Sequence, residues 1–117
     1  MSKADLHQRL NRVHEITLSV KGRKSDRNIP RPVWFVHEAN TLYLLPVHGS
    51  DTNWYKNMVV DPTLKISVNG LEISERGKQI TNNNRVNDVV KKFKSKYSER
   101  EVKKYYTNFD VAVEVTL

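Results

Sequence analysis

Leu64-Lys65-Ile66-Ser67-Val68-Asn69-Gly70-Leu71-Glu72-Ile73 is the stretch whose reading decides the fold class. Leu64, Ile66 and Val68 alternate with Lys65 and Ser67, the period of a strand with one buried face. Asn69-Gly70 supplies two residues that tolerate positive φ, as a tight two-residue hairpin turn requires, and Leu71 and Ile73 begin the return strand. A hairpin is anchored in the middle of the chain, and the reading extends from it in both directions.

Towards the N-terminus, Ile16, Leu18 and Val20 alternate with Thr17 and Ser19 as a second strand, fed by a short helix over residues 4–12. After a polar break at Lys21–Asn28, Val33–Val36 and Thr41–Leu45 form another hairpin around Glu38-Ala39-Asn40. Pro46–Asn53 reads as a loop. Thr52 or Asn53 is placed to cap a helix through Trp54, Tyr55, Met58 and Val59 that Asp61-Pro62 ends. Towards the C-terminus, Val86, Val89, Val90 and Phe93 follow Asn82-Asn83-Asn84 at the spacing of an amphipathic helix, with Tyr97 on the same face. Ser98 and Glu101 form a capping-box pattern for a second helix with Val102 and Tyr105, and Phe109, Val111, Val113 and Val115 alternate as a terminal strand. The expected fold is α+β: a six-stranded antiparallel split β-barrel with short flanking helices, spanning residues 1–117 as a single cofactor-binding domain.

Composition narrows the function. The 117 residues include no cysteine, which removes disulfides, iron–sulfur ligation and thiolate metal sites. No apolar run is long enough for a transmembrane segment, and Met1–Asp5 lacks the apolar core of a signal peptide, so a cytoplasmic protein is expected. His7, His14, His37 and His48 show no metal-ligand spacing, and no metal is expected. The net charge of +7 is concentrated: Arg76–Lys104 holds ten basic and three acidic residues. On the helix of that segment, Arg85, Lys91, Lys92, Lys94 and Lys96 spread over the whole non-apolar arc rather than one stripe, the pattern of a solvated face more than of a nucleic-acid surface.

Three places carry candidate chemistry. Gly22-Arg23-Lys24-Ser25 combines a glycine-permitted turn, two cations and a hydroxyl, the donors a phosphate needs, although a solvated turn has the same composition. Pro46-Val47-His48-Gly49-Ser50 precedes a helix start where amides and the helix dipole favour negative charge, and Trp54 and Tyr55 offer flat surface unless they only pack that helix. In Pro32-Val33-Trp34-Phe35-Val36 the two rings point to opposite faces; Phe35 shares a face with Val33 and reads as core, leaving Trp34 for ring contact.

In this order the segments resemble the deazaflavin-dependent nitroreductase family, relatives of the pyridoxamine-phosphate-oxidase-like split β-barrels. The matching stretches are Gly22-Arg23-Lys24-Ser25, Pro32-Val33-Trp34-Phe35-Val36, Leu42-Tyr43-Leu44, Pro46-Val47-His48-Gly49 and Trp54-Tyr55-Lys56-Asn57-Met58, followed by Asp61-Pro62 and, before the last strand, Tyr106-Thr107. The resemblance implies hydride transfer from reduced coenzyme F420 to a quinone, nitro or activated-alkene acceptor, a small-molecule electron acceptor, and a homodimer. It implies that Arg23, Lys24 and Ser25 hold the phosphate, that the Pro46, Val47, His48 and Gly49 backbone lines the ring, and that Trp54, Tyr55 and Asn57 close the pocket. Water, Tyr55 or His48 would protonate the product. The sequence departs from the family pattern at Asp26, where a glycine is expected after Ser25, and at Ser50, the second glycine of the later loop. The alternatives are an FMN- or haem-binding split barrel without this activity and a basic nucleic-acid-binding barrel.

Overall fold

The computed structural model describes residues 3–25 and 27–117. Seven strands form one antiparallel sheet in the order β2-β1-β5-β6-β7-β4-β3, curled into a half-barrel. They are β1 (Ile16–Lys21), β2 (Asn28–Val33), β3 (Phe35–Glu38), β4 (Thr41–Leu44), β5 (Thr63–Val68), β6 (Leu71–Ile80) and β7 (Ala112–Thr116). The α-helices are α1 (Lys3–Asn11), α2 (Asn53–Val60), α3 (Asn83–Tyr97) and α4 (Glu99–Tyr105), and a 3-10 turn at Gly49–Asp51 leads into α2. Among the described residues no helix is long and apolar enough to cross a membrane.

The α+β class and antiparallel pairing match the sequence reading, but the count of six strands is corrected to seven. The extra strand is β2, which lies between the expected polar break at Lys21–Asn28 and the strand expected from Val33; that expected strand Val33–Val36 is divided at Trp34, with Val33 ending β2. Strand β2 holds Pro30 and Pro32, is largely exposed, and pairs only with β1. An edge strand needs hydrogen bonds on one side only. Two prolines spaced by two turn their missing N–H groups the same way, outward, which also blunts the edge against further pairing.

The curl follows from connectivity. The outermost strands, β2 and β3, are consecutive in the chain and separated by Trp34 alone, so the two sheet edges converge there. On the opposite side β6 changes partner: Leu71–Arg76 pair with β5, and Gly77–Ile80 with β7. Gly77 stands at the changeover because a Cβ there would lie 2.6 Å from Met58 Sδ and 2.9 Å from a Leu64 methyl.

The sheet is covered on both faces. Inside the curl, Leu6 and Leu10 of α1 and Met58 of α2 pack with Leu18, Phe35, Leu44, Leu64, Ile66 and Val113. Outside, Val86, Val89, Val90 and Phe93 of α3 and Val102 of α4 pack on Val36, Ile80 and Ala112. Each such side chain contributes about 1.5–3 kcal/mol by leaving water. Phe35 enters the inner core as expected. The terminal strand differs from the clean alternation expected of it: Val111, Ala112 and Val113 are all buried, since the helices cover the face that Ala112 presents.

The turns and caps report the same chemistry in detail. Asn69 and Gly70 have φ of 47° and 82°, as the hairpin reading requires. Asn82 caps α3, its side chain accepting from the Asn84 and Arg85 amides. Only half of the expected capping box forms at α4. The Ser98 hydroxyl accepts from the Glu101 N–H at 3.2 Å, but the Ser98 N–H is already bonded to the Lys94 carbonyl at the end of α3.

Candidate functional site

A cleft of about 720 Å³ opens beside the seam where β2 passes into β3. One wall is Arg31–Trp34, a second is Leu45 just after β4 with Val47 and His48, a third is Asp51 and Thr52 with the start of α2 at Asn53 and Trp54, and Tyr105 at the end of α4 with Tyr106 just beyond it closes the side. Four aromatic residues therefore border one space, Trp54 and Tyr106 from within the core, and its volume lies within the usual size range of small-molecule sites. Trp34 is held by its other neighbours: its ring stacks on Tyr97 with centroids 4.2 Å apart and planes within 7°.

The loop before α2 is fixed by hydrogen bonds. Thr52 occupies the N-cap position of α2, as one of the two expected candidates, but its hydroxyl accepts from the His48 N–H at 2.8 Å instead of from a first-turn amide. His48 Nδ1 shares a 2.8 Å hydrogen bond with the Thr107 hydroxyl, and the Thr107 N–H donates to the Val47 carbonyl. Gly49 has φ of 57°, and a Cβ on it would fall 2.1 Å from Asp110 Oδ1. Ser50, through its N–H and its hydroxyl, donates to the same carboxylate, which holds Asp110 below its ordinary range. Ser50 thus serves as an anchor of the loop.

The predicted residues separate into two groups. Trp34, Val47, His48 and Trp54 line the cleft. Pro46 and Gly49 are buried behind it. Tyr55 is buried and its hydroxyl donates to Gln79 Oε1 at 3.2 Å; burial and the nearby Asp110 push that hydroxyl's pKa up. Arg23 is tied to α2: its N–H donates to Asn57 Oδ1 at 3.2 Å, its Nη1 donates to the same oxygen at 2.7 Å, and Nη1 lies 3.5 Å from the Asn53 carbonyl oxygen. Asn57 is 4% exposed, so this pair is a structural bolt between the β1–β2 turn and α2. Lys24 and Ser25 are exposed and stand outside the cleft lining, and Asp26 lies outside the described residues.

Sequence reasoning missed Arg31. Its Nε is buried and has no hydrogen-bond partner, and the side chain lines the cleft. No motif marks it; only the unread strand β2 brings it to the seam. Glu15, Asp51 and Glu101 also line the cleft, so its rim carries negative charge.

Elsewhere the charges are largely committed. Among the described residues, Lys78 and Arg85 pair with Glu114, Lys92 with Glu38, and Lys94 and Lys103 with Glu99, so half of the ten cations of the basic segment are ion-paired. Lys96 donates to the Phe35 carbonyl at 2.8 Å, and burial lowers its ammonium to about 8. His7 and His37 stand with ring centroids 4.6 Å apart. No group of three or more histidine, aspartate or glutamate side chains among the described residues is placed to hold a metal ion.

The fold is shared with several solved structures. An F420-H2 dependent reductase, FDR-A, superposes with a TM-score of 0.67 at 17% identity, over 87% of this chain and 93% of that one. A protein of Listeria innocua named as a candidate pyridoxamine 5′-phosphate oxidase gives 0.72 at 12% identity, over 97% and 90%. HutZ, the heme storage protein of Vibrio cholerae, gives 0.73 at 11% identity, over 97% and 88%. These likenesses establish the split-barrel architecture. No curated protein matches the sequence. At the level of sequence, the pattern of the family described as "Uncharacterized protein conserved in bacteria (DUF2255)" matches residues 6–116, nearly the whole chain, and the protein belongs to that family.

Proposed function

We propose that the protein is an oxidoreductase that binds a flavin-type cofactor in the cleft at the β2–β3 seam, with reduced F420 as the leading candidate and FMN as the alternative. The observation that carries this reading is the cleft itself: Trp34, Trp54, Tyr105 and Tyr106 border one volume of about 720 Å³, with Arg31 among the lining residues. Such walls suit a planar ring. The split-barrel likeness to an F420-H2 dependent reductase supports the same assignment.

When bound, the cofactor supplies the hydride or electron chemistry, and the chain's part is to orient it and exclude water. Trp34 and Trp54 provide the ring walls, and the Val47–His48 backbone, fixed by Thr52 and Thr107, forms a rigid edge. His48 is assigned the proton-carrying role towards the reduced acceptor, because it lines the cleft while the Tyr55 hydroxyl is bonded to Gln79. A small-molecule acceptor would enter past Tyr105, which is 48% exposed. The chain would act as one cofactor-binding unit in the cytoplasm, paired as a homodimer through surfaces such as the exposed Val59 and Val60.

A second reading, haem binding without redox turnover, is favoured by His48 in the cleft lining and by the likeness to HutZ. One titration separates the readings. Both tryptophans of the chain line the cleft, so tryptophan fluorescence reports directly on its occupancy. Quenching and a raised thermal midpoint with F420 are expected. Response to FMN alone would change the cofactor, response to hemin alone would favour the second reading, and response to none would overturn both.

A further inference from the structure

We propose that Thr107 is a positioning residue for His48: its hydroxyl accepts from the His48 Nδ1–H, so that the ring nitrogen which takes up and releases a proton is Nε2. The proposal rests on His48 acting in the cleft, as assigned above, and extends that assignment to the residue that sets the state of the imidazole.

A neutral imidazole carries one N–H, and which nitrogen holds it is set by the hydrogen bond the other makes. His48 Nδ1 and Thr107 Oγ1 are 2.8 Å apart, a distance at which one of the two supplies the proton. Among the described residues, Nε2 has no hydrogen-bond partner in the chain.

The Thr107 hydroxyl holds a single proton and has two acceptors in reach, His48 Nδ1 and the Val47 carbonyl oxygen at 3.4 Å. If the proton goes to Nδ1, one hydrogen bond forms and the carbonyl loses the hydroxyl. If it goes to Val47, Nδ1 carries its own proton and two bonds form in series, Nδ1–H to Oγ1 and Oγ1–H to the carbonyl. The second arrangement satisfies more groups, and each bond polarises the next. It also holds when the ring is charged, because imidazolium bears both N–H groups and needs an acceptor at Nδ1. The opposite arrangement would require the hydroxyl to turn each time the ring gained a proton.

The backbone keeps the two residues in register for this contact. The Thr107 N–H donates to the Val47 carbonyl at 2.8 Å, His48 and Asn108 form a parallel β-bridge, and the His48 N–H is bonded to the Thr52 hydroxyl at 2.8 Å. The segment after α4 thereby fastens the loop before α2 across 59 positions of sequence. With Nδ1 committed, neutral His48 receives a proton, or a hydrogen bond from a ligand N–H or O–H, at Nε2, and the cation returns the proton from the same atom. Exchange at that nitrogen leaves the bonds of the loop intact.

The test is NMR of the full chain labelled with ¹⁵N-histidine, at about pH 9, where an ordinary imidazole is neutral. Long-range ¹H–¹⁵N spectra distinguish a ring nitrogen that bears hydrogen from one with a lone pair, and His48→Gln identifies the His48 signals by their loss. Expected in the unmodified chain are hydrogen on Nδ1 and a lone pair on Nε2. Thr107→Val keeps the backbone N–H bond to Val47 and should collapse that separation towards the averaged pattern of a solvated imidazole; Thr107→Ser should restore it. Hydrogen on Nε2 in the unmodified chain overturns the proposal without reference to any variant. An unchanged pattern in Thr107→Val, or a Thr107→Ser that behaves like Thr107→Val, overturns it as well. Titrations with F420, FMN and hemin keep this proposal apart from the cleft reading. The expected tautomer with no response to any of the three upholds the Thr107 contact and sinks the cofactor site. A response to one of them with hydrogen on Nε2 does the reverse.

Discussion

The Trp34 indole lies flat on the Tyr97 ring, 4.2 Å between centroids, and the Tyr97 hydroxyl in turn accepts from the Phe35 N–H at 3.1 Å and lies 2.6 Å from the His14 carbonyl oxygen. One residue of α3 therefore fixes the β2–β3 seam and orients a wall of the cleft. Tyr97→Phe keeps the stack but strands the Phe35 N–H; a loss of about 1–3 kcal/mol in urea denaturation is expected. Tyr97→Leu should cost about 0.5–1.5 kcal/mol more by removing the ring contact. Burial also pushes the Tyr97 hydroxyl from 10.0 up to about 12, so its contribution is complete below pH 10 and fades as the pH rises towards 12.

Two glycines with positive φ should respond differently to alanine. Gly70 at φ 82° has nothing within 4 Å of an added Cβ, whereas Gly49 at φ 57° would place it against Asp110 and Asn108. Gly70→Ala is expected to cost about 1 kcal/mol from backbone strain alone. Gly49→Ala should cost more, about 2–4 kcal/mol, because strain is joined by a clash that displaces the Asp110 anchor of the loop. Thermal midpoints of the two variants, compared side by side, check this.

Acidification should weaken the protein in two separate windows. His37 is held below its ordinary 6.5 by burial first, then by His7 of α1 and Lys96 of α3, with the Ala39 backbone opposing. Its folded form resists protonation, so stability is full above 6.5 and falls as the pH drops below it. The Asp110 carboxyl is depressed from 3.8 by the Ser50 hydroxyl, so its contribution is present above that value and is lost only at lower pH. Urea midpoints measured from about pH 8 to about pH 3 should show both slopes. His37→Gln should flatten the upper one and leave the lower.

The Arg23–Asn57 bolt gives an asymmetric pair of variants. Asn57→Ala removes the acceptor of two hydrogen bonds at a buried site and should destabilise by about 1–3 kcal/mol. Arg23→Ala retains the backbone N–H bond to Asn57 and should cost under about 1 kcal/mol, since the guanidinium contact is partly exposed. Equal losses in chemical denaturation would contradict the bond pattern.

Much of this molecule is written in local sequence. The Leu64–Ile73 hairpin, the apolar face of α3 and the inward side chains of β1 follow from spacing and turn residues, because each of those patterns is settled by neighbours within a few positions. So does the burial of Phe35, and Trp34 stands on the cleft as its alternation suggests. What the sequence hid were relations between distant segments. β2 has no strand signature, since an exposed edge strand buries too little to need one, and its prolines argue against pairing until only one side must pair. Its concealment hid Arg31. The Gly22–Ser25 turn holds an abundance of donors on paper, but whether a donor is free depends on what the fold lays against it, and Asn57 reaches Arg23 from 34 positions away. Residue types, turns and faces were determined locally; which polar groups are spent on structure and which remain for a ligand was decided only when the seam closed, because hydrogen-bond satisfaction is a property of the packed whole.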